Sequence, residues 1–287
     1  MREFPDYFAD AESDFKNARY VIFGVPFDGT STFRYGSRDA PAEIRKASWN
    51  FESFHMETEN DLSTIPVHDY GDIQVEDEPE KVVKRVEEFV CKLSGKIPIA
   101  IGGEHTISCG VVRALKKRDI AVILLDAHLD FRDSYEGIRY GHACVARRIA
   151  EEIGIDNLVI LGVRSAGKEE YMEAKEMGLF FVDAFRIKKE GVERVIHQIM
   201  ERFGERKFYL SLDMDVLDPS FAPGVSTPEP FGLSTSDVKK CIESLSPSIT
   251  GFDVVEVCPK YDYGITSVLA AKFIRIAIDR SWSSIKP

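Results

Sequence analysis

Short β-rich runs recur along the chain, at 20–24, 66–69, 97–102, 120–126, 158–163, 179–182, 207–213 and 249–257. Several runs, 120–125 among them, are apolar at consecutive positions and do not alternate with polar ones. A strand with one wet face alternates, whereas a strand covered on both faces does not, so these runs predict a parallel sheet between helix layers. Helical signals fill many of the gaps. Asp39 as N-cap and Pro41 in the first turn predict a helix through AEIRKAS. The segment PEKVVKRVEEFVCKLSG places Val82, Val83, Val86, Phe89 and Val90 at helical spacing and is expected to stop at Gly95. Ser234 with Asp237 three residues on resembles a capping box ahead of VKKCIESL, and a last helix is expected over 266–281. Eight β/α units leave two architectures, an open three-layer sandwich or an eight-fold barrel, and periodicity does not choose between them.

Composition narrows the class. The 287 residues carry 37 Lys and Arg against 48 Asp and Glu, a formal charge of −11. Phosphate binding draws on clustered basic residues, so this balance argues against nucleic acid. It favours a cationic partner, which a negative field attracts. No apolar run approaches the ~18 residues of a membrane span, and the first residues are polar where a signal peptide would need an apolar stretch. Five scattered cysteines (Cys91, Cys109, Cys144, Cys241 and Cys258) form no Cys-x-x-Cys pair, which argues against a disulfide framework or cysteine zinc cluster and for a reducing compartment, the cytoplasm.

Three polar clusters end apolar runs. Asp126, His128 and Asp130 follow one; in extended chain, residues i, i+2 and i+4 point to one side, so two carboxylates and an imidazole are expected to converge. Asp213 and Asp215 end another; the segment is not an EF-hand, because Leu217 and Asp218 occupy the places of the third ligand and the required glycine. Gly102, Gly103, Glu104 and His105 end a third, and the glycines are expected to let the backbone turn tightly. Any one cluster alone is more often a surface turn or a helix cap. Together, His105, Asp126, His128, Asp130, Asp213 and Asp215 are too many ligands for one tetrahedral zinc. They suit two divalent cations of the Mn2+ type, whose +4 balances four carboxylates. Paired metals ~3.5–4 Å apart generate hydroxide at neutral pH. The ligands span residues 105 to 215 with no Pro-, Gly- or Ser-rich linker, so one domain is expected over 1–287. His55, His68 and His197 lie outside the clusters and read as structural or exposed.

The segments GGEHT, DAHLDFRD, YGHACVARR, SLDMDVLDPSFAPG and FDVVEVCP resemble, in this order, the signature of the ureohydrolases, the arginase and agmatinase family. The resemblance runs from about Gly24 to about Phe273, and GVPFDGTSTFRYGSRDAPAEIRKAS and GVRS are more similar to agmatinase than to arginase. It implies a three-layer α/β/α sandwich around an eight-stranded parallel sheet and two Mn2+ per chain. It implies His105, Asp126, Asp130 and Asp213 on one metal and Asp126, His128, Asp213 and Asp215 on the other. It further implies that His142 shuttles protons, that Glu256 accepts hydrogen bonds from a substrate guanidinium, and that the chain is a trimer or hexamer.

The expected reaction is hydrolysis of agmatine to urea and putrescine, a step of polyamine biosynthesis. Asp130 would pass a proton to the departing amine, while Glu256 and His142 contact substrate. Aminopropylagmatine, a guanidino acid or arginine would need the same chemistry; Arg139 would serve a carboxylate-bearing substrate, or is simply an exposed loop arginine. Three positions depart from the resembling pattern: Glu104 stands where Asp is usual, Gly141 where Ser is, and Cys258 where Asn is. Two rivals from other classes are a single-metal deacetylase of related fold and a non-catalytic metal-stabilised protein. The former would carry a tandem His-His, but Thr106 follows His105.

Overall fold

The structure is a computed structural model that describes residues 4–285. Its strands are β1 (Tyr20–Val25), β2 (Phe54–His55), β3 (Asn60–Asp61), β4 (Val67–Asp72), β5 (Ile97–Gly102), β6 (Ala121–Leu125), β7 (Leu158–Val163), β8 (Phe180–Asp183), β9 (Phe208–Asp213) and β10 (Ile249–Val255). Its helices are α1 (Ala40–Ser48), α2 (Pro79–Cys91), α3 (Ile107–Leu115), α4 (Val145–Ile153), α5 (Lys168–Glu176), α6 (Ala184–Glu190), α7 (Val192–Phe203), α8 (Thr235–Leu245) and α9 (Ile265–Ser283). Eight strands form one sheet in the order β4-β1-β5-β10-β9-β6-β7-β8, and every pairing in it is parallel. The outermost strands, β4 and β8, do not pair with each other, so the sheet is open and the barrel is excluded.

The continuous apolar runs are explained by cover on both faces. Tyr20, Ile22, Ile99, Ile101, Ile123 and Leu125 pack into a core with residues of α1, α6, α7, α8 and α9. Their neighbours Val21, Phe23, Ala100, Val122 and Leu124 point the other way, into a core with α2, α3 and α4. The result is a three-layer α/β/α sandwich, as expected. Each fully buried Val, Leu or Ile contributes about 1.5–3 kcal/mol.

The helix signals fare unevenly. Ser234 and Asp237 form the expected capping box, with Asp237 N–H donating to Ser234 Oγ at 3.1 Å and Ser234 N–H to Asp237 Oδ2 at 3.0 Å. Asp39 precedes α1 but makes no side-chain cap, because it already has helical backbone angles at the end of a short 3-10 turn. The helix α2 stops at Cys91 and not at Gly95, and α9 is longer than 266–281. The expected domain span of 1–287 includes residues 1–3 and 286–287, which lie outside the described residues.

Four central strands end level with one another. Leu125 of β6 lies beside Leu212 of β9, Asp213 beside Val255 of β10, and Val254 beside Ile101 of β5. The residues just beyond these ends therefore share one rim. Ligands in open α/β sheets collect at this carboxyl edge, where strand order reverses. Here β9 and β10, late in the chain, separate β5 from β6.

The two glycines before His105 serve close packing and not a special turn, since neither has a positive φ. A Cβ on Gly103 would overlap the Phe27 carbonyl, and one on Gly102 would press on Ile107 and Val255. Gly103→Ala is expected to destabilise the protein by about 3 kcal/mol, as overpacking against backbone does. Gly71→Ala, at φ +85 with nothing within 4 Å of the new methyl, should cost only about 1 kcal/mol. Urea denaturation midpoints of the two variants check the difference.

Candidate active site

The six ligand candidates meet at this rim. His105 Nδ1 lies 3.1 Å from Asp126 Oδ2, 3.4 Å from Asp213 Oδ2 and 3.5 Å from Asp130 Oδ2. His128 Nδ1 lies 2.9 Å from Asp215 Oδ2 and 3.6 Å from Asp126 Oδ1. Two triads stand out, His105 with Asp126 and Asp213, and Asp126 with His128 and Asp215; within each, ligand atoms lie within 4.8 Å of one another. Asp126 belongs to both.

Local backbone explains how each carboxylate is aimed. His128 N–H donates to Asp126 Oδ1 at 2.6 Å, Asp215 N–H to Asp213 Oδ1 at 2.8 Å, and Ala127 N–H to Asp215 Oδ1 at 3.1 Å. In all three, one oxygen is anchored by main chain, and the other, Oδ2, faces a histidine. The route differs from simple strand alternation. β6 ends at Leu125, and Asp130 reaches the site through a left-handed residue, φ 47. Asp215 arrives through a one-turn 3-10 helix after β9. Strand alternation thus accounts for neither Asp130 nor Asp215; turns bring them in.

The chemistry of this cluster fits bound cations. His105, Asp126, Asp213 and Asp215 are almost wholly buried, and His105 Nδ1 and Asp126 Oδ2, though 3.1 Å apart, have no hydrogen-bond partner. Orphaned buried polar atoms are costly, and a cation held between nitrogen and oxygen donors removes that cost. Without one, protons must do the neutralising. Burial opposes charge on His105, but Asp126, Asp130 and Asp213 outweigh it and raise the imidazole well above its usual range. Asp215 and Asp126 likewise raise His128 against its burial. Burial and the charge of Asp126 push Asp130 up to about 8. Burial, Asp215 and Asp126 raise Asp213 well above the carboxylate range. Burial would also raise Asp126, but the two histidines hold it low.

Glu256 sits one residue past β10, at φ 64. Its own N–H donates to the Gly103 carbonyl at 2.8 Å, and its Oε1 accepts the His105 N–H at 2.7 Å. Burial pushes Glu256 up to about 7, against a hydrogen bond from Ser226 and that N–H. Ser226 Oγ lies 3.2 Å from Cys258 Sγ, so the Cys258 departure acts beside the Glu256 carboxylate. His142 opens a short 3-10 turn before α4; burial lowers its pKa, with Glu104 opposing.

A cavity of ≈ 310 Å³ opens over the cluster, within the range of small-molecule sites. His128, Asp130, Asp213, Asp215, Glu256 and His142 line it, with Thr32, Arg132, Tyr135, Glu170 and Thr227 among the other wall residues. Tyr135 is presented by a tight turn in which Glu136 and Gly137 both have positive φ. Arg132 stacks over the Tyr135 ring at 4.3 Å, and its Nε donates to Glu170 Oε2 at 3.1 Å. Arg139 does not line the cavity. It is exposed and pairs with Asp133 at 3.3 Å, the loop-arginine alternative. His55 is buried 3.3 Å from Asp279, His68 bonds the Ser13 carbonyl, and His197 is exposed beside Glu201.

Some supporting residues escape a reading of the sequence. His105 Nε2 contacts Ser211 Oγ at 3.0 Å, Ser211 donates to Asp253 Oδ1 at 2.6 Å, and Ser108 and Tyr209 donate to Asp253 Oδ2. An aspartate in the middle of the wholly buried β10 was the available signal. Arg164, of the GVRS segment, donates to the carbonyls of Asp215 and Glu229 at 2.7 and 2.6 Å, tying the segment after β9 to a neighbouring loop.

Comparison with known proteins agrees with this geometry. The model of the arginase family matches residues 18–278. An agmatinase of Bacillus anthracis is 35% identical over 277 residues, 93% of each chain. An N(1)-aminopropylagmatine ureohydrolase of Thermococcus kodakarensis is 38% identical over 270 residues, 92% of this chain and 91% of that one. The crystal structure of the agmatine ureohydrolase of Thermoplasma volcanium superposes with a TM-score of 0.94 at 42% identity, covering 98% of this chain and 96% of the other. Neither the deacetylase nor the non-catalytic rival is needed: the chain belongs to the arginase family and is a ureohydrolase enzyme.

Proposed function

We propose that this enzyme hydrolyses the guanidinium group of agmatine, releasing urea and putrescine for polyamine biosynthesis, with two Mn2+ per chain. The observation that carries the reading is the pair of triads sharing Asp126 at the cavity, with His105 Nδ1 and Asp126 Oδ2 buried and unbonded. His105, Asp126, Asp130 and Asp213 would hold one ion, and Asp126, His128, Asp213 and Asp215 the other. Such a pair, when bound, lowers the pKa of water so that hydroxide is available at neutral pH.

The chain's own groups do the rest. Glu256 accepts hydrogen bonds from the planar guanidinium and fixes its carbon over the cluster, a positioning effect. Asp130, ionised when it ligates, takes up the proton given off at the nucleophile and delivers it to the departing amine. His142, lining the cavity, exchanges protons with solvent. We read the chain as one domain over 1–287, acting in the cytoplasm as a homo-oligomer, a trimer or hexamer. Among the described residues no helix is long and apolar enough to cross a membrane. Aminopropylagmatine is the second reading, favoured by the 38% identical Thermococcus kodakarensis relative of that name.

Cation binding should be strongly pH-dependent. A carboxylate raised to about 8, and imidazoles raised above their usual range, must lose protons to ligate. Affinity for Mn2+ is therefore expected to rise with pH through about 8, by roughly tenfold per pH unit for each proton displaced. The sign for the metal-free protein is opposite. Groups whose folded pKa is raised stabilise fully below their unfolded pKa, and that stability is lost as pH rises through the folded value. Asp126, held low, contributes stability above its unfolded value and so adds no slope in this window. Melting temperature of chelated protein should fall from about pH 5 to pH 9, and the increment from Mn2+ should grow. A flat increment would argue against ligation by these groups.

Urea release from Mn2+-loaded protein with agmatine, aminopropylagmatine, arginine and guanidinobutyrate tests the substrate. Agmatine is expected to give the highest kcat/KM; a clear preference for arginine overturns the choice. Glu256→Gln should lower kcat/KM by about 10²-fold, the size of a lost charge-assisted contact to the reacting group. Asp130→Asn with two ions bound should lose kcat by ~10²–10⁴-fold, and full turnover would remove it from proton transfer.

A further inference from the structure

The loop between β1 and α1 passes over the end of β5, and Glu104 there is wholly buried. Its carboxylate takes three donors from that loop. Oε1 accepts the Thr30 N–H at 2.6 Å and the Ser31 hydroxyl at 3.0 Å, and Oε2 accepts the Thr30 hydroxyl at 2.5 Å. The same Thr30 oxygen lies 3.1 Å from His142 Nδ1 and accepts the His142 backbone N–H at 3.1 Å. The hydrogen-bonded link from Glu104 to His142 runs through this hydroxyl.

Proton counting then fixes the imidazole. A hydroxyl has one proton and two lone pairs, and a carboxylate only accepts. With the Thr30 proton committed to Glu104, both lone pairs must accept, one from the His142 backbone and one from Nδ1–H. We propose that Glu104 and Thr30 are a positioning pair that holds His142 in the Nδ1–H tautomer, leaving its Nε2 lone pair free for proton exchange. This rests on the role proposed for His142 above. The logic is that of any catalytic histidine, whose working nitrogen is set by the bond the other one makes.

Glu104→Gln reverses the chain of donors. The amide oxygen must face the Thr30 N–H, which cannot accept, so the amide NH2 falls opposite Thr30 Oγ1 and donates to it. The Thr30 proton then turns to His142 Nδ1, and the neutral imidazole carries its proton on Nε2. Thr30→Val removes the preference, while Thr30→Ser keeps it.

The test is the side-chain 15N spectrum of histidine-labelled, full-length protein loaded with Mg2+, which is diamagnetic. At about pH 9 an ordinary imidazole is neutral, and the His142 signals are those absent from His142→Ala. Wild type and Thr30→Ser should show the Nδ1–H pattern, Glu104→Gln the Nε2–H pattern and Thr30→Val a mixture. With Mn2+, Glu104→Gln and Thr30→Val should lose kcat by about 10²-fold, Thr30→Ser should keep it, and KM should hold within about twofold. A Glu104→Gln protein that still melts cooperatively with His142 as Nδ1–H overturns the proposal. So does Thr30→Ser behaving as Thr30→Val. A tautomer that flips with unchanged turnover upholds the positioning pair and removes His142 from the reaction.

Discussion

Four carboxylates crowded into one largely buried volume are the constraint around which this protein is built. Two like charges 4 Å apart repel by roughly 4 kcal/mol even at an effective dielectric of 20. The cluster of Asp126, Asp130, Asp213 and Asp215 multiplies that cost, and two imidazoles do not cancel it. The backbone contributes what it can, with N–H groups of Ala127, His128 and Asp215 each turned onto one carboxylate oxygen. What is left over is a set of oxygens aimed inward, which protons or divalent cations must neutralise. The raised pKa values of Asp130 and Asp213 and the orphaned His105 Nδ1 are two expressions of the same deficit.

Rigidity follows from that constraint. Side chains held against such repulsion need a frame that does not relax. The frame is four adjacent parallel strands ending level, extended by the bond from Glu256 N–H to the Gly103 carbonyl and braced by Arg164 on the Asp215 and Glu229 carbonyls. Asp130 and Glu256 both hold left-handed backbone that non-glycine residues adopt at a cost. Such residues persist where the surroundings over-determine them, and here both line the cavity.

Six of the eight sheet strands were legible because a strand covered on both faces is buried along its whole length, while the half-exposed edge strands β4 and β8 showed only as shorter β-rich segments. Only the two-residue pieces β2 and β3 escaped, being too short to carry a period. Among helices, α2 and α8 announced themselves by an apolar stripe or a capping box. α3 did not, because seven of its nine residues are buried and little polar face remains to mark the period. The ligand clusters were legible because each is contiguous. Their connectors were not: Thr30 lies 74 residues from Glu104, and Ser211 lies 42 from Asp253, so only folding brings them together. Arg139 was open to two readings for the same reason: its nearness to His142 in sequence does not decide whether the side chain enters the cavity, and the fold turns it outward to Asp133.

The sheet order also bears on how the molecule is assembled. β5 and β6 belong to the first half of the chain, yet they are kept apart by β9 and β10, the last two strands in chain order. Until the C-terminal third emerges, each of those two strands has a bare hydrogen-bonding edge on an almost wholly apolar ribbon, the kind that pairs with other chains. Placing β9 and β10 between them completes the sheet, and the same two strands deliver Asp213, Asp215 and Glu256. A nascent chain lacking them has neither a complete triad nor a finished sheet, so competence for chemistry and protection from aggregation should be acquired together, late and as one step.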